Sequence, residues 1–357
     1  MATNEYYAGN SIWTFQNPRT SCLIPEVPLL ISEAEEIQLN ELSLGIYNAV
    51  AVAVELAREV NERPWNDLFN TARAFPDGLT MPPAIRTDIV RTVDGPKVVE
   101  IDPVTAISLG ETCFLADAWC DQYDVVESPI EAILRALKER EVESLGIVTP
   151  SEKSDYQSEI AYLAKCLEER GIVVRRGDFN GVQLSSFTEV PANRKKINRQ
   201  LKPLENNPLW GSLYGLMGKD KLSMLSRCDE RLAKGTAREY TLDEVELLEP
   251  ETKLVAKPEK GTGSIGLKVL NASECVGKKG YVFQEVLVPR NDDFGEVVDG
   301  EGALQSAGEW VTRLSIYASS KGLAGAQVTA RKREGLFTNV DGKPDAVQTT
   351  LAVTIDK

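Results

Sequence analysis

The chain has 357 residues, 42% of them hydrophobic and 26% charged, which is enough for a large core divided over two or three folded units. A formal net charge of −14 argues against nucleic acid as a partner, because phosphate backbones are held mainly by Lys and Arg. The absence of histidine removes the Ser-His-Asp and Cys-His nucleophile systems in their usual forms, together with His-ligated zinc, and leaves carboxylates, lysines and arginines to carry any chemistry. Residues 1 to about 40 show turn signals (Asn17-Pro18, Pro25, Pro28) and no clear period, so an irregular segment is expected there. From Leu42 to Val60 the sequence is apolar almost all round, which predicts a buried helix despite Gly45. Trp65 to Phe75 reads as another helix, stopped by Pro76-Asp77-Gly78.

Two β-rich runs, Arg86 to Val93 and Lys97 to Asp102, flank Asp94-Gly95-Pro96 and predict a hairpin over 86–103. Pro96 cannot donate to a ladder and favours a three-residue connection, which sets Asp88 opposite Asp102 and Val90 opposite Glu100. Arg86, Asp88, Glu100 and Asp102 then share one face, since side chains alternate along a strand. Three carboxylates on one face repel unless a cation lies between them, and such hard oxygen ligands suit Mg²⁺; the plain alternative is a solvated sheet face with scattered charge.

Ile107 to Trp119 is expected to start a helix, and Pro129 to Arg140 is amphipathic at helical spacing. Leu145–Thr149, Ser154–Arg170 and Gly171–Arg175 then read as strand, helix and strand, which implies parallel pairing in a Rossmann-like layer. That run has no glycine fingerprint, so no dinucleotide is assigned to it. The basic stretch Arg194–Arg199 reads as a solvated helix face, and the loop from Asn207 leads into a helix carrying Lys221.

Leu254 to Val269 contains a literal G-x-G-x-x-G at Gly261, Gly263 and Gly266. A dinucleotide site would need a helix opening on the last glycine, whereas Leu267–Leu270 reads as a strand, so the glycines are expected at a hairpin tip. There the backbone can bring N–H groups against phosphate oxygens, with Ser264 adding a hydroxyl donor. Lys257 precedes the glycines, which does not fit the protein-kinase order. Tyr281–Pro289 reads as a buried strand interrupted by Gln284 and Glu285, whose polar ends need partners; an adenine amino group would supply one. Glu309–Ala318, Gly325–Asn339 and Val347–Ile355 predict an antiparallel sheet.

The six cysteines show no C-x-x-C spacing, so reduced and mostly buried thiols are expected, with Cys113 and Cys120 on one helix face in the core. No run of 18 uncharged apolar residues and no basic leader stands out, so neither a membrane span nor a signal peptide is expected, and the cytoplasm is the expected location.

Taken in order, the Arg86-x-Asp88, Glu100-x-Asp102-Pro103, Lys221, Lys257, glycine-loop and Gln284-Glu285 blocks resemble the glutathionylspermidine synthetase type of ATP-grasp ligase. In that type the metal-carrying strands precede the lysine and glycine-loop strands. The resemblance implies an α/β (α+β) chain: an N-terminal helical region with the metal-carrying hairpin (1–130), a Rossmann-like pre-ATP-grasp layer (131–200) and a permuted ATP-grasp nucleotide-binding region (201–357). It further implies ATP and Mg²⁺, with Asp88, Glu100 and Asp102 as metal ligands and Lys221 and Lys257 on the nucleotide phosphates. Gly261, Gly263, Ser264 and Gly266 would cover the triphosphate, Gln284 and Glu285 would lie at the adenine, and Arg86 and Arg331 would face the transferred phosphoryl group. Asp102 stands where the type has Asn. The implied activity is ATP-dependent amide formation from a small-molecule or peptide acid and an amine, through an acyl phosphate. The alternative of a different class is an ATP-binding protein without catalysis. A hydrolase using Glu100 and Asp102 is disfavoured, since residues two apart on one strand do not flank a substrate bond.

Overall fold

The computed structural model describes residues 4–8, 11–15, 24–25, 27–59, 81–102, 109–139, 141, 143–148, 157–176, 182–185, 209–210, 221–259, 266–292, 297–298, 304–305, 310–332 and 347–353. Its centre is an eight-stranded mixed sheet. Trp310–Ser319, Gly322–Lys332 and Val347–Val353 run antiparallel, as their alternating sequences predict. Ile85–Thr92 pairs antiparallel with Trp310–Ser319 and carries the hairpin out to Gly95–Asp102, while Leu29–Ile31 lies parallel to the far side of Val347–Val353. The sheet therefore joins the beginning of the chain to its end.

Alternation gives the sheet two different faces. Ile85, Ile89, Leu314, Ile316, Val328, Ala330 and Leu351 are buried on one face, in a single cluster with Leu39, Ile46 and Val50 of the long helix Glu33–Glu59. Burying each large apolar side chain contributes about 1.5–3 kcal/mol. Gly45, the apparent flaw in this helix, is where the helix Glu230–Gly235 crosses: a Cβ there would lie 2.8 Å from Arg231 Cβ and 2.9 Å from the Leu232 nitrogen. The stretch Glu33–Leu56 is apolar and long enough, by length and composition, to cross a membrane, and half of the apolar window is buried within the fold, as in a core helix.

The helix begins at Glu33, nine residues before the expected Leu42. Ser32 Oγ accepts the Glu35 N–H at 3.2 Å, so Ser32-x-x-Glu35 is the start signal that the apolar count overlooked. The Glu35 carboxylate turns instead to Arg91 of the sheet, Nε to Oε1 at 2.6 Å and Nη2 to Oε2 at 2.7 Å. The lead-in is also more regular than expected. Asn4–Ala8 and Ser11–Phe15 pair antiparallel with Tyr6 opposite Trp13, a hairpin whose sequence signal is Gly9-Asn10 between two aromatic-bearing runs.

A second layer is a four-stranded parallel sheet in the order Leu209–Trp210, Val182–Ser185, Ser144–Val148, Val173–Arg176. The strand-helix-strand run pairs in parallel as predicted, Ser144 opposite Val173, with the helix Gln157–Glu168 between. The helices Leu109–Trp119 and Pro129–Glu139 complete this layer, and Cys113, Ile133, Leu163 and Leu167 share its core. Cys120 corrects the expectation: it follows the end of its helix and is exposed, while Cys113 is buried.

The third unit is a four-stranded antiparallel sheet in the order Glu239–Tyr240, Tyr281–Glu285, Lys253–Pro258, Lys268–Asn271. Leu254, Ala256 and Phe283 face its small core with Val245 and Cys275. The glycine run joins two antiparallel strands, Ala256 opposite Lys268, as the sequence predicts. Gly266 has φ +84° and a Cβ there would meet Pro258 Cγ at 2.9 Å, so a side chain is excluded twice over. Gly261, Gly263 and Ser264, the expected helix 65–75 and the basic stretch 194–199 lie outside the described residues.

Candidate functional site

The hairpin reaches its shared face by a different route from the one expected. Thr92 pairs with Gly95, so the turn is the two residues Val93-Asp94, not Asp94-Gly95-Pro96. Gly95 takes φ +105°, and the Thr92 hydroxyl closes the turn, donating to the Gly95 carbonyl at 2.8 Å and accepting the Asp94 N–H at 3.2 Å. That turn alone would set Asp88 opposite Val99. A bulge between Ile89 and Asp88 absorbs Val99, and the pairs become Asp88 with Glu100 and Arg86 with Asp102. The predicted pairing of Asp88 with Asp102 is thus corrected, while Asp88 and Glu100 return to one side of the sheet.

The bulge exposes a backbone acceptor to the third unit. Lys257 Nζ donates to the Val99 carbonyl at 2.9 Å, and Gln284 Nε2 lies 3.4 Å from the same oxygen. Gln284 also donates to Glu239 Oε1 at 2.9 Å, and Glu239 Oε2 accepts the Ser223 N–H at 3.1 Å, in the first turn of the helix Lys221–Ser226. The hairpin, the Lys257 strand, the Gln284 strand and the start of the Lys221 helix therefore meet at one place. Glu285 does not join them. It pairs opposite Leu254, on the other face of its strand, and its carboxylate accepts the Arg238 N–H at 2.9 Å. Alternation therefore puts Gln284 and Glu285 on opposite faces of their strand.

Asp88 is held between two arginines. Its Oδ1 accepts from the Ser315 hydroxyl at 2.8 Å and from Arg86 Nη2 at 3.3 Å, and its Oδ2 lies 3.4 Å from Arg313 Nη1. Burial alone would raise the Asp88 pKa; the Arg313 and Arg86 charges and the Ser315 hydrogen bond outweigh it and hold the carboxyl below its usual value of 3.8. The same face continues across the sheet. Ser315 is paired with Asp88 and with Gln327, Arg313 with Val90 and Thr329, and Val311 with Arg331, so Arg331 lies on this face two residues past Thr329. Gln327, Thr329 and Ser315 are buried polar residues. Arg313, Ser315, Gln327 and Glu239 escaped the sequence reading, although Arg-Leu-Ser-Ile and Gln-Val-Thr-Ala-Arg alternate in the way that marks a polar face.

Of the three carboxylates expected to hold a divalent ion, Asp88 is engaged by cationic side chains in this structure. Both Asp88 oxygens serve guanidiniums, and each such pair is worth about 4 kcal/mol of gross attraction at ~4 Å and an effective dielectric of ~20, with repulsion of the same order for a cation on that carboxylate. Glu100 is exposed. Asp102 is placed by its backbone pairing with Arg86, and Lys221 by its position as the first residue of its helix. Among the described residues no group of three His, Cys, Asp or Glu side chains could hold a metal ion.

No family model matches the chain, and no curated protein matches it in sequence. Among solved structures it is similar to a glutathione synthetase-like effector (GSS30) from Globodera pallida in apo form, with TM-score 0.57 and 11% identity over 98% of this chain and 93% of that one. A Methylobacillus flagellatus KT protein named for gamma-glutamylcysteine synthetase aligns at TM-score 0.39 and 12% identity, over 91% of this chain and 89% of that one. What the chain shares with the first, over nearly its whole length, is a fold: a mixed α/β architecture around a mixed sheet.

Proposed function

We propose that the chain is an ATP-dependent carboxylate-amine ligase with a permuted ATP-grasp order, its four-stranded parallel sheet serving as the Rossmann-like layer. The observation that carries this reading is the meeting of Lys257 and Gln284 with the acid-bearing hairpin at the Val99 carbonyl, within a fold similar to a glutathione synthetase-like protein. In this reading Lys257, and Lys221 at the start of its helix, hold nucleotide phosphates, Gly261 to Gly266 close over them, and Gln284 lies at the base. Arg86 and Arg331 stabilise the charge that develops as a substrate carboxylate oxygen attacks the γ-phosphorus and the bond to ADP breaks. The amine nitrogen then attacks the acyl carbon, phosphate leaves, and the proton passes to a nearby carboxylate or water, which asks for no histidine. The small-molecule or peptide nature of the acid and amine is part of the same reading.

The test is ADP release on adding pooled amino acids and short peptides, with binding of a non-hydrolysable ATP analogue measured by calorimetry. Lys257→Ala is expected to abolish both; full activity in that variant would remove the assignment. A second reading, an ATP-binding protein of this fold without turnover, is favoured by the engagement of Asp88 with Arg86 and Arg313 where the resemblance puts a metal ligand. It predicts analogue binding through Lys257 and no ADP release with any pool.

A further inference from the structure

We propose that the bulge at Val99 is an autoinhibitory contact: its carbonyl competes with an anionic ligand for Lys257, and the ligand reaches that lysine by displacing it. The nucleotide identity of the ligand rests on the ligase reading; the contact between the hairpin and the third unit does not.

In the hairpin Ile89 is paired with Val98 and Asp88 with Glu100, so Val99 has no residue opposite it. A bulged residue is taken out of the ladder, and its carbonyl then needs a donor from elsewhere. The third unit supplies it. Gln284 is paired with Val255 and Glu239, and Lys257 with Val282, so Glu239, Gln284 and Lys257 share the face of their sheet opposite the core residues Leu254, Ala256 and Phe283. From that face Lys257 Nζ reaches the Val99 oxygen at 2.9 Å, with Gln284 Nε2 at 3.4 Å. Glu239 Oε1 takes the same amide nitrogen at 2.9 Å, so two acceptors fix which end of the Gln284 amide faces the hairpin. The carbonyl carries a partial charge where a phosphate oxygen carries a full one, and charge-assisted bonds are the stronger, so an anion can displace it. The bulge is also separable from the fold. Without Val99, Val98 opposite Ile89 and Glu100 opposite Asp88 become consecutive pairs, and alternation keeps them on opposite faces. Val98 stays in the core, with its carbonyl accepting the Ala237 N–H at 2.9 Å. Register does not require the extra residue; what it adds is the carbonyl under Lys257.

The test compares the full chain with one lacking Val99, after a circular-dichroism melt confirms that both fold. Acylation of lysines, read by mass spectrometry, follows Lys257, with the exposed Lys253 of the same strand as internal standard. Removing Val99 should raise Lys257 acylation relative to Lys253 at least about fivefold, since a released amine samples solvent more often. Inorganic pyrophosphate, and the non-hydrolysable ATP analogue with Mg²⁺, should bind the shortened chain about tenfold more tightly, as when the fraction of the competent state rises by that factor. Unchanged acylation overturns the contact. So does faster acylation with equal or weaker binding of both anions, which would make the carbonyl a support that positions Lys257, and so does a failure of both anions to bind either chain. Tighter pyrophosphate binding with no analogue binding would uphold the contact and remove the ligase reading. If the shortened chain does not fold, the ¹³C-carbonyl resonance of Val99 in wild type, identified by its loss in Val99→Ile, decides. An upfield move on adding pyrophosphate, the direction of a lost hydrogen bond, upholds the displacement; a resonance unmoved at saturation overturns it.

Discussion

The strand Ile85–Thr92 carries arginines on both of its faces, and the two sets are built differently. On the core face Arg91 grips Glu35 with two nitrogens and Asp292 with the third, at 2.6 Å. Arg290 closes the ring onto the same two acids, at 2.9 and 3.3 Å, and Thr312 donates to Asp292. Two arginines and two carboxylates thus join the start of the long helix, the sheet and the 291–292 strand. On the opposite face Arg86 and Arg313 share the Asp88 carboxylate, and both arginines retain some contact with solvent. The contrast teaches that a buried guanidinium is not informative by itself. A ring that matches forks to carboxylates in a buried setting specifies packing, whereas a shared carboxylate beneath partly exposed forks keeps part of each guanidinium at the surface.

Removing the centre of the core-face ring should have the largest effect. Arg91→Met leaves Glu35 and Asp292 buried without their main partner, and the expected loss is about 3–5 kcal/mol of unfolding free energy, measured by urea denaturation. A loss under ~1 kcal/mol would mean that water or Arg290 replaces Arg91 readily, and the ring would not be the structural member of the comparison.

On the other face, Asp88→Asn keeps the shape of the side chain and removes the charge, with an expected cost of about 1.5–3 kcal/mol at neutral pH, as for hydrogen bonds to charged groups. The sign of its pH dependence follows from the lowered pKa. The unfolded aspartate titrates near 3.8 and the folded one below that, so its contribution is fully present above 3.8 and is lost as pH falls through the folded value. The stability gap between wild type and Asp88→Asn should therefore close on acidification below about pH 4. A gap that persists unchanged into strong acid would show that the arginines do not hold the charged form.

Much of this architecture is legible in the sequence, and the residues that mislead do so for identifiable reasons. The alternating runs at 310–332 and 347–353 predict their sheet, and the strand-helix-strand run after Ser144 predicts parallel pairing, because periodicity reports which side of an element is covered. The hairpin register is not readable in this way. A two-residue turn and a bulge at Val99 make two compensating one-residue shifts, and a bulge depends on what approaches the strand, here Lys257 and Gln284 from more than 150 positions away. The same limit applies to Asp88. Its position beside an arginine is visible as Arg86-x-Asp88, but the second arginine comes from a strand paired across the sheet, so the two cations around the carboxylate cannot be read from the hairpin alone. The early helix start is different in kind, since Ser32-x-x-Glu35 is readable in the sequence and an apolar count does not register it.

That cap also provides the smallest and most discriminating change. Ser32 Oγ accepts the Glu35 N–H and so fixes the helix turn from which Glu35 reaches Arg91. Ser32→Ala should cost about 1 kcal/mol, read as a lower urea midpoint with an unchanged slope. Because Arg91 and Asp88 point to opposite sides of one strand, affinity for the ATP analogue should stay within roughly twofold of wild type, as for a stability change remote from a site. A loss of about tenfold, or 1.4 kcal/mol, in analogue affinity would mean that the core-face ring sets the height of the strand beneath Asp88. The two arginine sets would then act as one coupled unit, and Glu35 would belong to the positioning of the site as much as to the anchoring of the helix.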